Sequence, residues 1–308
     1  MKNDLAKLGR FLWRTSRNLI CVLPLGRRLL FPPQALSVQF GRGDADYAIR
    51  VFLHHYRQLD AAGFHAARNI LEVGPGRNLG TALLIWALNW CRIKQEVEIV
   101  LWDVFPNMNF SETDFQPVAV ALRQSGEFSS LCEAINQLDF AEVISSISSG
   151  GLIPRIRYVV QPLAEFSATL GPGHFDLIYS QAAIEHIWDI ATFWSTIINL
   201  TGISGWHSHR IDLADHGRRK TNYIEMLEWS PLAYWLTMRM IPGAINRWRA
   251  SMHLDYIRRR GLEIRSVQQE MRPTLPVPRA HLHRAFRDFD ENNLRTTALD
   301  LVAVKTGC

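Results

Sequence analysis

The stretch that most constrains this chain is Ile70-Leu71-Glu72-Val73-Gly74-Pro75-Gly76-Arg77-Asn78-Leu79-Gly80. A short apolar run carries a carboxylate, and two glycines follow at a spacing of two. Thr81-Ala82-Leu83-Leu84-Ile85-Trp86-Ala87-Leu88 then reads as a helix. Strand, glycine turn and helix in that order open a nucleotide-type βα unit. Glycine suits the turn because the backbone must bend tightly and lie close to a ligand, where a Cβ would clash. Glu72 narrows the choice of ligand: a carboxylate beside the turn repels a pyrophosphate and attracts a cationic group.

Once a βα unit is fixed, the rest of the chain reads as its continuation. Val97–Trp102 is a second strand ending in Asp103, where a carboxylate in this topology meets ribose hydroxyls. Arg157–Val160 is a third strand, with Gln161 behind it. Phe175–Ser180 is a fourth, followed by Gln181-Ala182-Ala183-Ile184-Glu185-His186-Ile187. A helix through Phe193–Leu200 and the glycine turn Thr201–Gly205 lead to a fifth strand, Trp206–Leu213. Helix Leu254–Arg260 precedes strand six, Leu262–Val267. Leu299–Val304 is the last strand, forming a hairpin-like pair with it. A helix through Tyr47–Leu59 precedes strand one. Residues 104–154 exceed a simple crossover and read as an insertion. Residues 217–256, with their aromatics, arginines and Pro-Gly breaks, read as a second insertion that covers the substrate; a cap that merely packs on the sheet is the alternative.

Glu72 with the alternating glycines resembles motif I of the Rossmann-like, S-adenosylmethionine (SAM) dependent methyltransferases. The block Phe175-Asp176-Leu177-Ile178-Tyr179-Ser180…Glu185-His186 resembles their motif IV. Asn78 stands where a third glycine is usual, a mild departure because Asn tolerates a left-handed backbone. The resemblance covers roughly three-quarters of the chain. It implies an α/β fold: a seven-stranded, mostly parallel, doubly wound sheet whose last strand is antiparallel. It also implies SAM as cofactor, held by Glu72, Gly74, Pro75, Gly76, Asn78, Asp103, Gln161 and Ser180. Transfer of the methyl group to a small molecule follows, a hydroxyl of a sugar, glycan precursor or secondary metabolite being the expected acceptor. The helix before strand one closes one side of the cofactor pocket in similar proteins.

The fifth strand is unusually polar: Trp206-His207-Ser208-His209-Arg210-Ile211-Asp212 is followed by Asp215 and His216. A central parallel strand is normally apolar, and such a violation is what functional sites tend to show. His209 or His216 is therefore the expected general base, with Asp212 or Asp215 orienting it. No metal is expected, since strand alternation puts His209 and Asp212 on opposite faces. Glu185, His186, Trp229 and Arg247 are the expected substrate contacts.

Charge is distributed unevenly. Residues 1–30 hold Lys2, Lys7, Arg10, Arg14, Arg17, Arg27 and Arg28 against Asp4, or +6; with +5 for the whole chain, the remainder is −1. The basicity belongs to an appendage, which argues against a general nucleic-acid surface. Ser180-Gln181-Ala182-Ala183 also stands where base-modifying relatives carry an Asn/Asp-Pro-Pro-aromatic block. Residues 1–46 form an N-terminal extension and 47–308 the catalytic domain. The first thirty residues lack an apolar run of roughly 18 residues and lack a signal-peptide pattern. They read either as a helix packed on the domain or in a homodimer contact, or as a basic amphipathic segment on an anionic membrane face. The expected location is cytoplasmic, with a peripheral position on the inner membrane face under the second reading. Scattered Cys21, Cys91, Cys132 and Cys308 suggest reduced thiols. Two rival functions stay open: a membrane-peripheral enzyme acting on a lipid or lipid-linked intermediate, and a SAM-binding partner protein without catalysis.

Overall fold

The computed structural model describes residues 2–23, 29–30, 45–77, 79–106, 156–241 and 243–307. Asn78, Cys132, Cys308 and nearly all of the insertion expected at 104–154 lie outside the described residues.

Seven strands form one sheet: β1 (Asn69–Val73), β2 (Glu98–Asp103), β3 (Ile156–Val160), β4 (Phe175–Gln181), β5 (Thr201–Asp212), β6 (Leu262–Met271) and β7 (Thr296–Lys305). Their spatial order is β3-β2-β1-β4-β5-β7-β6. The pairs from β3 through β5 are parallel, whereas β7 runs antiparallel to both β5 and β6. The order reverses beside β1, so the carboxyl ends of β1, β2, β4 and β5 open onto a single crevice, where ligands of such sheets bind. This is the seven-stranded Rossmann-like methyltransferase fold that the motif order implies.

The described helices are α1 (Lys2–Ile20), α2 (Ala45–Ala61), α3 (Gly80–Ile93), α4 (Leu163–Ala168), α5 (Ile190–Leu200), α6 (Pro231–Met238), α7 (Ala250–Arg259), α8 (Arg284–Arg287) and α9 (Glu291–Arg295). One apolar core lies between the sheet and α2 with α3, and another between the sheet and α5 with α7. Helix α3 is buried from Gly80 to Asn89, as its apolar sequence dictates, and ends at a left-handed Lys94. Asp189 caps α5 by accepting from the Thr192 N–H, and Ser230 caps α6 ahead of Pro231. The Asp176 carboxylate accepts from the N–H groups of Arg68 and Asn69, locking the start of β4 to that of β1.

Strand β5 starts five residues earlier than the sequence pattern suggests, because the expected turn Thr201–Gly205 is absorbed into it. Phe175 pairs with Thr201 and Leu177 with Trp206, a register shift that accommodates the extra residues. At Gly205 a Cβ would lie 2.8 Å from the Gly202 carbonyl oxygen, so the irregularity needs glycine there.

A third apolar cluster lies beneath the second insertion and includes Tyr223, Trp229, Tyr234, Ile245 and Phe286, with Phe11 of α1 packed against it. Arg14 donates to Glu225 Oε2 at 2.9 Å, Arg10 lies 3.3 Å from its other oxygen, and Phe11 stacks on Trp229. No described helix is long and apolar enough to cross a membrane.

Candidate active site

A cavity of about 1040 Å³ lies at the carboxyl edge of the sheet. Its wall includes Glu72, Gly74, Pro75, Gly76 and Asp103 and also Glu185, His186, Asp212, His216 and Arg219. Tyr47 and Val51 of α2 form part of the wall, where the helix preceding strand one was expected.

The glycine turn is shaped by contact as well as by backbone angle. Gly74 has φ +65°, and a Cβ there would lie 2.5 Å from the Cβ of Ala183. The turn after β4 therefore rests directly on the turn after β1. Ala182, between β4 and that contact, takes a positive φ of 49°, and its N–H donates to the Arg210 carbonyl. The strained residue lines the cavity, as strained backbone often does.

Glu72 is buried and accepts from the Tyr179 hydroxyl at 2.7 Å. Burial raises its pKa to about 8, against the opposing pull of the Tyr179 hydrogen bond. Asp103 accepts from the N–H groups of Val104 and Phe105 through Oδ1, which fixes the carboxylate at the end of β2. Gln161 is half-buried, and its backbone is tied to the Asp103 carbonyl and to the Trp102 indole; its neighbours Pro162 and Leu163 line the cavity.

The polar fifth strand divides between core and cavity. His209 is fully buried, hydrogen-bonded to Ser180 at 2.8 Å and to His207 at 3.0 Å, with Trp194 edge-on to it. His207 continues to Thr201 at 2.9 Å. On the opposite face Ser208 meets His55 at 2.7 Å, and Arg210 donates to Asp300 and to Glu270. Burial lowers His207 to about 3 and His209 well below the ordinary range. Neither His209 nor Ser180 is part of the cavity wall. Of the two histidines expected as base, His216 lines the cavity and His209 does not. Asp215 is likewise buried away from the cavity, where it accepts from the Gly217 and Arg218 N–H groups. Its pKa is raised, first by burial.

His216 and Asp212 do share the cavity: His216 Nε2 lies 3.4 Å from Asp212 Oδ2, and Arg219 donates to the same carboxylate oxygen. Three neighbours hold Asp212 below the usual carboxylate range despite its burial: His216 through a hydrogen bond and its charge, the Ala214 N–H, and the charge of Arg219. His186 stands edge-on to His216, with ring centroids 5.2 Å apart, and burial lowers its pKa to about 4. Glu185 is raised well above the usual range by burial and by Asp212.

Trp229 and Arg247 lie beneath the insertion instead of in the cavity. Arg247 donates to the Trp229 carbonyl and stacks over Tyr234 and Phe286. The insertion reaches the cavity through Arg219, Arg239, Met240, Ile241, Gly243 and Ala244. Trp188, with Arg239 over its ring at 5.4 Å, is a further wall residue that no sequence motif signals.

No protein-family model and no curated protein matches the chain. Solved structures do resemble it. An S-adenosylmethionine dependent methyltransferase from Mesorhizobium loti is 18% identical over 82% of this chain and 97% of its own, with a TM-score of 0.40. Phosphoethanolamine N-methyltransferase 2 of Haemonchus contortus, in complex with S-adenosylhomocysteine, is 13% identical over 84% of this chain and 53% of its own, with a TM-score of 0.44. The [4+2]-cyclase SpnF is 13% identical over 87% and 86%, also at 0.44. At these values the likeness is one of fold, and the functional reading rests on this chain's own residues.

Proposed function

We propose that this chain binds SAM and transfers its methyl group to a hydroxyl of a small molecule, such as a sugar, a glycan precursor or a secondary metabolite. The observation that carries the reading is a single cavity whose wall holds both the Gly74–Gly76 turn with Asp103 and the His216–Asp212 pair. The residues fit SAM in kind. The turn, with Gly74 at positive φ and packed against Ala183, brings backbone to the cavity wall, and Asp103 suits ribose hydroxyls. Glu72 is a buried acid beside the turn that burial keeps protonated up to about pH 8 and that hydrogen-bonds a polar group instead of attracting a cation. SAM when bound supplies an electrophilic methyl on a sulfonium. The chain's part is to align the reactants and exclude water. The acceptor hydroxyl must also lose its proton, and His216, oriented by Asp212, is the group that meets it.

The test is calorimetry with SAM, followed by turnover with hydroxylated acceptors. Asp103→Ala should weaken SAM binding at least about tenfold, the value of roughly one lost charged hydrogen bond. No measurable SAM binding by the wild type would sink the cofactor assignment, and unchanged affinity in that variant would remove Asp103 from it. SAM binding without methyl consumption across the acceptors would favour the non-catalytic alternative.

A second reading concerns where the enzyme works. Leu8, Leu12, Trp13 and Leu19 of α1 are each more than half exposed, beside exposed Leu232 and Trp235 of α6. With the basic charge of residues 1–30, this face suits an anionic membrane surface and a lipid or lipid-linked acceptor. Sedimentation with anionic liposomes should be lost in Leu12→Glu/Trp13→Glu; binding that survives those changes removes this reading.

A further inference from the structure

The turn after β4 brings an unbalanced group to the cavity wall. Glu185 is 2% exposed, and no side chain hydrogen-bonds its carboxylate oxygens among the described residues, although the N–H groups of Glu185 itself and of Asp212 lie close enough to favour the charged form. A buried carboxylate so placed calls for a proton or a cation. Two imidazoles face it. One ligand atom each from Glu185, His186 and His216 lies within 4.8 Å of the others. All three residues line the cavity, so the corner is open to small ions.

The second hydrogen bonds of the two rings point the same way. His186 Nδ1 lies 3.1 Å from the Ala244 carbonyl oxygen. A carbonyl only accepts, so this nitrogen carries the proton and Nε2 keeps its lone pair. His216 Nε2 faces Asp212, which is itself held by Arg219 and by the Ala214 N–H. A carbonyl or carboxylate behind each ring is the arrangement that orients imidazoles toward a metal. Asn246 fixes the backbone on either side of the pair: its N–H donates to the Glu185 carbonyl, and its side-chain amide donates to the carbonyls of Ile184 and Ile187.

We propose that Glu185, His186 and His216 bind a divalent cation of the zinc, manganese or iron(II) type, with Asp212 as the positioning residue for His216. Two imidazoles and a carboxylate form a mixed nitrogen–oxygen set that suits these ions better than calcium or magnesium, which favour all-oxygen shells. Bonds of about 2 Å place ligand atoms roughly 3–4 Å apart, a small side-chain adjustment from the observed spacing. Three protein ligands leave coordination positions facing the cavity. The ligand for those positions is an acceptor hydroxyl, whose acidity a bound cation raises; in the loaded protein His216 is a ligand and not the base, and the hydroxyl proton passes to solvent in the cavity. The inference rests on the reading of this part of the wall as the acceptor's, but the cation site is testable without SAM or acceptor.

The experiment uses the full chain, stripped with a chelator and titrated with Mn²⁺ by electron paramagnetic resonance and with Zn²⁺ by competition against a chromophoric chelator. One ion per chain is expected, with a rise in melting temperature on loading. Glu185→Gln and His216→Gln should each weaken binding by about tenfold to a hundredfold, and Asp212→Asn by roughly tenfold through the ring it orients. SAM affinity, measured in the same variants, should change by less than a few-fold; this also shows that they fold. Wild-type protein that takes up neither ion stoichiometrically would overturn the proposal, as would unchanged metal affinity in both ligand variants. Loss of SAM binding with metal binding intact would count against the cofactor reading alone.

Discussion

Glu72 shows how one side chain serves two requirements at once. It lies in an apolar strand that must be buried, yet it faces the glycine turn. Its pKa of about 8 in the folded chain exceeds the ordinary value of 4.5, so the native state holds a proton that the unfolded chain has released. Stability from this group is therefore full below about 4.5 and is lost as pH rises through 8. Between about pH 6 and 8 the loss should amount to about 2 kcal/mol. Urea titrations should show that fall in the wild type and its near absence in Glu72→Gln, which keeps an acceptor for Tyr179; equal slopes would refute the assignment. Gly74→Ala acts at the same scale through sterics. The added Cβ meets Ala183 at 2.5 Å on a backbone with positive φ. Strain of roughly 1–3 kcal/mol should weaken SAM binding about tenfold or more, as read by calorimetry.

The behaviour of β5 is decided at the scale of the element. Its histidines read as catalytic from the sequence because polarity in a central strand is rare. The fold instead seats His207 and His209 in a buried chain from Thr201 to Ser180, with His253 Nδ1 nearby accepting from the Trp194 indole N–H. Burial lowers His55, His207 and His253 to about 3. Histidines with lowered folded pKa stabilise the fold above about 6.5, and that stability is lost as pH falls toward 3. The fold should therefore weaken steeply below about pH 6.5, on the order of 1 kcal/mol per pH unit per histidine. Denaturation midpoints that stay flat from pH 7 to about pH 5 would contradict this. Alternation along the strand was legible beforehand, including the shared face of His207 and His209. Which face meets core and which meets ligand depends on where α5 and α7 pack, and periodicity does not encode that.

For the whole molecule, α1 braces the insertion. Glu225 is 3% exposed at its side chain and faces Arg10, Arg14 and Arg218. A buried carboxylate deprived of its nearest cation is costly, about 3 kcal/mol when a pair is broken. Arg14→Ala should lower the melting temperature, and removal of residues 2–23 should lower it further while uncovering Trp229. A melting temperature unmoved in both would show that α1 is a passive appendage. Because the insertion also supplies Arg239 and Ala244 to the cavity, the same truncation should alter acceptor turnover more than SAM binding.

The sequence by itself determined the sheet and its open end. Apolar runs of period two, the glycines at 74 and 76, and acids at the ends of strands one and two are local signals, and local sterics read them almost directly. The antiparallel last strand followed from the resemblance those motifs carry, whereas the spatial strand order came from the structure. The acceptor end was not determined in this way. Glu185, His186 and His216 come from separate segments, the turn after β4 and the loop after β5, and only their packing brings one ligand atom of each within 4.8 Å of the others. Trp229 and Arg247 carry the composition of a binding site but are used in the core under the insertion. Burial and distance are properties of the assembled chain, so the choice between His209 and His216 belonged to the tertiary structure alone.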